Sequence, residues 1–200
     1  MAKICHNVQM TKDAKREAIL AAANEQFRQY GYRKTSMDDI STRLGISRAS
    51  LYSYFDNKDA IFRGVSIATH EQALLAAQGC LTETHALPLR IENALLARHR
   101  PFQNAVVQSA HGGELFDEYS RLCGDIVVDS HSRFQAMLAT ALKAASRNGE
   151  ISLKVAGVSA VAAAELLNLA AAGLKHGASD LVTFEKRVKR FVGVFVGGLG

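Results

Sequence analysis

The feature that most constrains the fold is the three-residue turn Gly45-Ile46-Ser47, which separates two short segments of helical periodicity. The apolar residues that recur at helical spacing around it are Met37, Ile40, Leu44, Leu51 and Phe55. Glycine allows the left-handed conformation in which many helices end, and a serine can cap the helix that follows. Two helices joined in this way form a helix-turn-helix. Any small helical bundle can contain the same turn, so the turn alone leaves both interpretations open.

The remaining sequence predicts helices and no strand pattern of comparable strength. Three short helices are predicted over 12–30, 37–44 and 47–55, with Gly31 ending the first. Further helices are predicted over 58–81, from Pro88, over 114–147, over 155–176 and over 183–199, with Gly124 as a weak point. Pro101 and Gly112-Gly113 interrupt the periodicity. The predicted fold class is therefore all-α.

The positive charge is concentrated at the start of the chain. Residues 1–63 carry 11 Lys and Arg against 7 Asp and Glu, whereas residues 64–200 carry 13 against 12. Such an excess is expected where one domain meets a polyanion, although a solvated lysine-rich face would give the same count. We predict a DNA-binding domain over 1–63 and a larger helical domain over 64–200.

Several other classes of protein are disfavoured. The three cysteines are widely spaced without a CxxC pair, and no apolar signal segment begins the chain, so we expect a reducing cytoplasm. The most apolar run, 156–174, contains Glu165 and Asn168, which favours a buried helix over a membrane span. The seven histidines include no HxxxH pair, so we expect neither a metal nor any other cofactor.

The third predicted helix has the shape needed to enter the major groove of DNA. At about 100° per residue, Leu51 and Phe55 point to the core, and the small residues Ala49 and Ser53 lie opposite. The residues that bracket this outer face are Arg48, Ser50, Tyr52 and Tyr54. Small side chains permit close approach, while arginine, serine and tyrosine can reach base edges and phosphates. Half-buried tyrosines with solvated hydroxyls are the simpler explanation for Tyr52 and Tyr54 alone.

Many spaced positions here resemble the signature of the TetR (tetracycline-repressor) family of transcriptional regulators. They are Gly31, Thr35-Ser36-Met37, Ile40, Leu44-Gly45-Ile46-Ser47, Leu51-Tyr52-Ser53-Tyr54-Phe55 and Lys58. The resemblance covers about residues 12–65. It implies an all-α homodimer with an N-terminal helix-turn-helix domain and a larger helical domain for ligand binding and dimerisation, whose effector lowers operator affinity.

The resemblance also implies roles for single residues. Thr35, Tyr54 and Lys58 would touch phosphates, and Arg43 is a further candidate. Towards the base edges would lie Arg48, Ala49, Ser50 and Tyr52. The complete predicted DNA-binding set is Thr35, Arg43, Ser47, Arg48, Ala49, Ser50, Tyr52, Ser53, Tyr54 and Lys58. Many members have glycine or proline where this chain has Ala49, which leaves the operator sequence open.

The second domain offers a mostly apolar stripe with a few polar groups, which suits the wall of a pocket for a small hydrophobic effector. The candidate pocket residues are Phe102, Val106, His111, Phe116, Tyr119, Cys123, Val127 and His131. A plain core stripe is the alternative at each position. The last two helices are rich in small residues that permit close packing against a second copy. The candidate interface residues are Leu166, Leu169, Gly173, Phe191, Phe195 and Leu199.

These patterns predict a transcriptional regulator rather than an enzyme. The leading hypothesis is a repressor that binds palindromic double-stranded operator DNA as a homodimer and is released by a small molecule. A DNA-binding regulator or activator that needs no ligand is the alternative. An all-α enzyme using the Cys123 thiol is a weaker hypothesis, because no nucleophile–base pair stands at motif spacing.

Overall fold

The computed structural model describes residues 11–107, 109–178 and 180–200, with the backbone alone for 103–107. Over this part of the chain every regular element is a helix, which confirms the predicted all-α class. The helices are α1 (Lys12–Tyr30), α2 (Met37–Leu44), α3 (Arg48–Tyr52), α4 (Lys58–Thr82), α5 (Leu87–Val107), α6 (Gly112–Leu122), α7 (Gly124–Arg147), α8 (Ala160–Leu174) and α9 (Leu181–Gly197).

Three of the predicted helices differ from those observed, one of them the helix predicted from residue 155, which begins at Ala160 after the Ser159 cap. The third predicted helix ends at Tyr52 instead of Phe55, because the backbone N–H groups of Tyr54 and Phe55 both donate to the carbonyl of Leu51 and tighten the chain into a turn. The segment predicted over 114–147 forms two helices with Cys123 between them. Pro101 lies inside α5, so the helix continues past it.

The chain divides into two compact units. The first comprises residues 11–66 and 109–122, and the second comprises 67–107 and 123–200. Helix α6 therefore belongs with α1–α3 and the start of α4. The predicted domain boundary after residue 63 stays a prediction.

Aromatic residues form the centre of the first unit. The rings of Phe27, Tyr32 and Phe62 lie 5.1–5.6 Å apart, two of the three pairs edge-to-face. Such arrangements suit the ring quadrupoles and add to the stabilisation from buried area. Around them the apolar faces of α1, α2 and α3 supply the fully buried Ile19, Ile40 and Leu51.

The core of the second unit comes from the second part of α4 and from α5, α7, α8 and α9, where α7 packs along α8 and α5 along α9. Its largest fully buried side chains are Phe134, Phe184, Ile91, Leu95, Leu138, Leu142 and Leu167. Among the helices that the structure describes, none is long and apolar enough to cross a membrane.

Candidate nucleic-acid interface

Local capping fixes the start of both helices in the helix-turn-helix. The Ser36 hydroxyl accepts the backbone N–H of Asp39 at 3.2 Å, and the Asp39 carboxylate accepts that of Ser36 at 2.8 Å. The Ser36 hydroxyl also donates to the Asp39 carboxylate at 2.6 Å, and this bond, followed by that from the Ser36 backbone N–H, lowers the pKa of Asp39. The reciprocal bonds form a capping box at the start of α2. Gly45 has a φ of 65° and ends α2, and the Ser47 hydroxyl then accepts the N–H of Ser50 at 3.1 Å.

Helix α3 is anchored on one face and open on the other. Leu51 is fully buried and Phe55 nearly so. The side chains of Ser47, Arg48, Ala49, Tyr52 and Ser53 are all exposed, with Tyr52 at 40 %. The structure therefore brings these five predicted DNA-binding residues to one open surface, which we call the α3 face.

Arg48 lies at the edge of the α3 face and contacts two exposed side chains, those of Asp38 and Tyr52. Its guanidinium lies 3.1 Å from the Asp38 carboxylate and 3.4 Å from the Tyr52 hydroxyl. The hydrogen bond with Tyr52, followed by the charge of Asp38, raises the pKa of Arg48, which stays a cation. Because exposed ion pairs contribute little to stability, Arg48 can exchange Asp38 for a base edge or a phosphate.

A lysine from α1 extends this surface. The Lys15 ammonium donates to the Ser50 hydroxyl at 3.1 Å and lies 5.7 Å from the centre of the Tyr54 ring. Ser50 and Tyr54 are both half-buried and turn towards α1. Sequence reasoning missed Lys15, because it stands 35 residues before Ser50 and no local pattern joins the two.

Two residues predicted to touch phosphates have partners within the first unit. Thr35 is 2 % exposed, and its hydroxyl donates to the carbonyl of Gly31 at 2.7 Å. The Lys58 ammonium donates to the carbonyl of Tyr32 at 2.8 Å and lies 4.2 Å from the centre of that ring. Burial lowers the pKa of Lys58. The structure does not bring these two side chains to the α3 face, whereas Arg43 is exposed and contacts Glu25.

Helix α6 is tied into the first unit by carboxylates. Glu114 accepts the backbone N–H of Arg33 at 2.6 Å. Gly31 has a φ of 85°, so its backbone conformation favours glycine. A Cβ there would also meet the Glu114 carboxylate at 2.6 Å, but this is the end of a flexible side chain that can shift. The buried Glu118 lies 2.7 Å from Arg121 and 3.7 Å from Arg33.

Within the first unit the Tyr32 hydroxyl donates to the Asp59 carboxylate. Burial, followed by this hydrogen bond, raises the pKa of Tyr32. The neutral phenol is thereby maintained at any physiological pH.

The predicted pocket residues do not lie along one continuous helix. Three of them, His111, Phe116 and Tyr119, belong to the first unit. His111 lies 3.9 Å from Glu114, and Phe116 is 60 % exposed. The second unit contains Phe102, Val106, Cys123, Val127 and His131, of which Val106 has its side chain outside the described residues. Within the described residues no three His, Cys, Asp or Glu side chains form a group that could hold a metal ion.

Polar residues outside the predicted site sets lie in the interior of the second unit. They are His70, Arg98, His99, Ser130 and Asn168, each of them buried. The hydroxyl of Ser130 lies 2.9 Å from Nδ1 of His70, and the side-chain amide of Asn168 lies 3.4 Å from Nδ1 of His131. Within an amphipathic helix such positions look like ordinary polar residues, and only the packing reveals that they are internal.

The predicted interface residues differ in exposure. Leu166, Leu169 and Gly173 lie exposed on α8. The rings of Phe191 and Phe195 lie 5.5 Å apart and are half-buried against the core. Leu199 is 5 % exposed and therefore packs within its own chain.

Comparison with known proteins agrees with this geometry. Residues 19–65 match the model of bacterial regulatory proteins of the tetR family. The HTH-type transcriptional regulator UidR of Escherichia coli K12 is 27 % identical over 149 residues, which cover 73 % of this chain and 74 % of UidR.

Two solved structures share the fold. The TetR family transcriptional regulator PfmR of Thermus thermophilus has a TM-score of 0.60 at 19 % identity, covering 91 % of this chain and 98 % of PfmR. SmeT, the repressor of the Stenotrophomonas maltophilia multidrug efflux pump SmeDEF, has a TM-score of 0.65 at 19 % identity, covering 94 % of this chain and 90 % of SmeT. At this identity the likeness concerns the fold.

Proposed function

We propose, for a chain that belongs to the TetR family of helix-turn-helix transcriptional regulators, that it represses transcription by binding palindromic operator DNA as a homodimer. A small effector bound in the second unit would lower the affinity for the operator. Because its target is chromosomal DNA, we also propose that the protein acts in the cytoplasm.

The observation that carries the proposal is the α3 face. The buried Leu51 anchors α3, and the opposite side of the helix carries the small, exposed side chains of Ala49 and Ser53. Because these side chains are small, the helix backbone can approach the base edges. Arg48 and Tyr52 lie beside them on the same exposed surface. Arg48 would read bases, and Lys15 and Arg43 would meet phosphates, which carry no sequence information of their own.

A dimer is favoured by the exposed apolar side chains of the last two helices. Val161, Leu166 and Leu169 on α8 and Val194 on α9 are each more than half exposed. No neighbouring atom lies within 4 Å of a Cβ built at Gly173, which leaves room for a partner helix. Two copies would supply the pair of recognition helices that a palindromic site requires.

The effector would act by shifting the equilibrium between two conformations of the dimer. A molecule that binds one conformation of the dimer more tightly favours it at the expense of the DNA-competent one. Coupling is reciprocal, so operator DNA must weaken effector binding by the factor by which the effector weakens DNA binding.

The decisive experiment measures binding to the DNA upstream of the chain's own gene by fluorescence anisotropy across a salt series. We expect tight, sequence-dependent binding at a stoichiometry of two chains per site, lost in Arg48→Ala with Tyr52→Ala. Lys143→Met, on the exposed surface of α7, is the control and should bind as wild type. Equal affinity for the upstream fragment and for a scrambled fragment would contradict the proposal.

A reporter assay separates the repressor from the activator. Deletion of the gene should raise expression from the bound promoter if the chain represses. A fall in expression would identify an activator instead.

A further inference from the structure

The interior of the second unit gathers five basic groups that no role in DNA binding uses. They are His70 on α4, Arg98 and His99 on α5, His131 on α7 and Lys175 directly after α8, and we call them the basic cluster. His70, Arg98 and His99 are 2–3 % exposed. Burying cationic side chains together is costly, so such a group requires a physical reason.

Two members of the basic cluster lie against one aromatic ring, that of Phe102. The guanidinium of Arg98 lies 5.2 Å from the centre of the Phe102 ring, and the imidazole of His70 lies 4.5 Å from it. Next to Arg98 in the sequence, the His99 ring stands edge-to-face with Phe184 at 6.1 Å. The Arg98 guanidinium and the two imidazoles are thus bordered by flat apolar surfaces, a combination that suits a site for an organic anion.

One position in the cluster lacks a hydrogen-bond partner. Nε2 of His99 is buried and contacts no donor or acceptor among the described residues. A buried polar atom without a partner costs free energy, and such atoms are uncommon in folded proteins. A bound ligand with an oxygen at this point would satisfy it.

The charges that perturb His99 and Lys175 are positive, while His70 also faces the carboxylate of Glu71. Burial, followed by the charges of Lys175, Arg98 and His131, lowers the pKa of His99. Burial, followed by the charge of Arg98, lowers the pKa of Lys175. The imidazoles therefore stay neutral while the site keeps a positive potential. Lys175 makes no salt bridge within the described part of the chain.

We propose that the basic cluster binds the effector and that this effector is an organic carboxylate. The inference rests on the proposed function, since it names the chemical class of the molecule that releases the DNA. Lys175 and Arg98 supply the charge, and His99 Nε2 accepts or donates a hydrogen bond according to its tautomer. A planar guanidinium suits the two oxygens of a carboxylate. Phe102 and Phe184 contact the apolar body.

A cation is not a suitable occupant. A metal ion would be repelled by Arg98 and Lys175, and a neutral molecule would leave Lys175 without a counter-charge among the described residues. The proposed site therefore differs from an ordinary apolar pocket in that its ligand must carry a negative charge.

The test compares benzoate with its neutral amide, benzamide, at matched ionic strength. Binding to the full-length protein is measured by calorimetry, with a thermal-shift series as a second readout. We expect benzoate to bind at least about tenfold more tightly than benzamide, because one unit charge near buried cations exceeds about 1.4 kcal/mol, the equivalent of tenfold. Equal affinities, or no benzoate binding at about 50 mM, would overturn the proposal.

Lys175→Met isolates the charge, because methionine keeps most of the apolar stem. We expect it to weaken benzoate binding about fivefold or more and to leave benzamide unchanged. Lys143→Met, exposed on α7, should bind both compounds as wild type. His99→Phe provides a second variant, which removes the unpartnered nitrogen without adding a charge. Wild-type benzoate affinity in both Lys175→Met and His99→Phe would exclude the basic cluster as the site.

Operator DNA separates the two proposals. Binding of benzoate that depends on Lys175 but leaves operator affinity unchanged would support the anion site and contradict effector control. Release of operator by a neutral compound, with equal potency in Lys175→Met, would support effector control and overturn the anion site.

Discussion

Lys58→Met tests whether this lysine stabilises the first unit or contacts DNA. In the folded chain its ammonium donates to the Tyr32 carbonyl at 2.8 Å and lies 4.2 Å from the centre of the Tyr32 ring. A hydrogen bond with a charged donor contributes about 1.5–3 kcal/mol, and a partly desolvated cation–π contact about 1 kcal/mol. Methionine keeps the stem and removes the cost of burying the charge, so the expected net loss of unfolding free energy is about 1–3 kcal/mol.

The assay is equilibrium urea denaturation, combined with the salt dependence of operator binding under conditions where both proteins are folded. The control Lys34→Met alters an exposed lysine and should change stability by less than about 0.5 kcal/mol. If Lys58 contacted one phosphate in each subunit, its removal would reduce the slope of log K against log salt by about 1.8. We expect an unchanged slope. Wild-type stability with a reduced slope would refute the structural role.

Three further predictions concern separate parts of the chain. Arg48→Ala should flatten sequence preference at the operator position it contacts by about 1–3 kcal/mol, measured against single-base operator variants; a uniform loss at all positions would contradict base reading. Gly31→Ala should destabilise by about 1–3 kcal/mol in urea, since φ is 85°, and combining it with Glu114→Ala should not restore stability if the backbone dominates. Burial lowers the pKa of His70 from 6.5 to about 4. The unfolded chain therefore binds more protons between these values, and stability should fall as the pH is lowered through this window. His70→Gln should reduce that fall, whereas the exposed His85→Gln should not.

The helix-turn-helix was predicted in most of its backbone detail because its signals are local. The capping box at Ser36, the left-handed Gly45 and the cap at Ser47 each involve residues within a few positions of one another. The spacing of Leu51 and Phe55 likewise identifies the buried face of α3 without knowledge of any other element. The end of α3 at Tyr52 was missed, since the competing turn depends on a small difference in hydrogen bonding at Leu51.

The roles of individual polar side chains were harder to predict from the sequence. Thr35 and Lys58 look like surface residues in the sequence, yet their partners, Gly31 and Tyr32, lie across a turn and beside another helix. Lys15 meets Ser50 only because α1 packs beside α3. Which polar group is exposed is decided by such packing.

What the sequence by itself determined is the all-α class, the helix-turn-helix and its outward residues, since periodicity, caps and glycine conformations act over one or two turns of chain. The tertiary structure alone decided which unit α6 joins and how the basic cluster forms. Its members at 70, 98–99, 131 and 175 are separated by dozens of residues, and no local pattern relates them. Packing places them together, and the cost of burying like charges then turns separate polar residues into a candidate site for an anion.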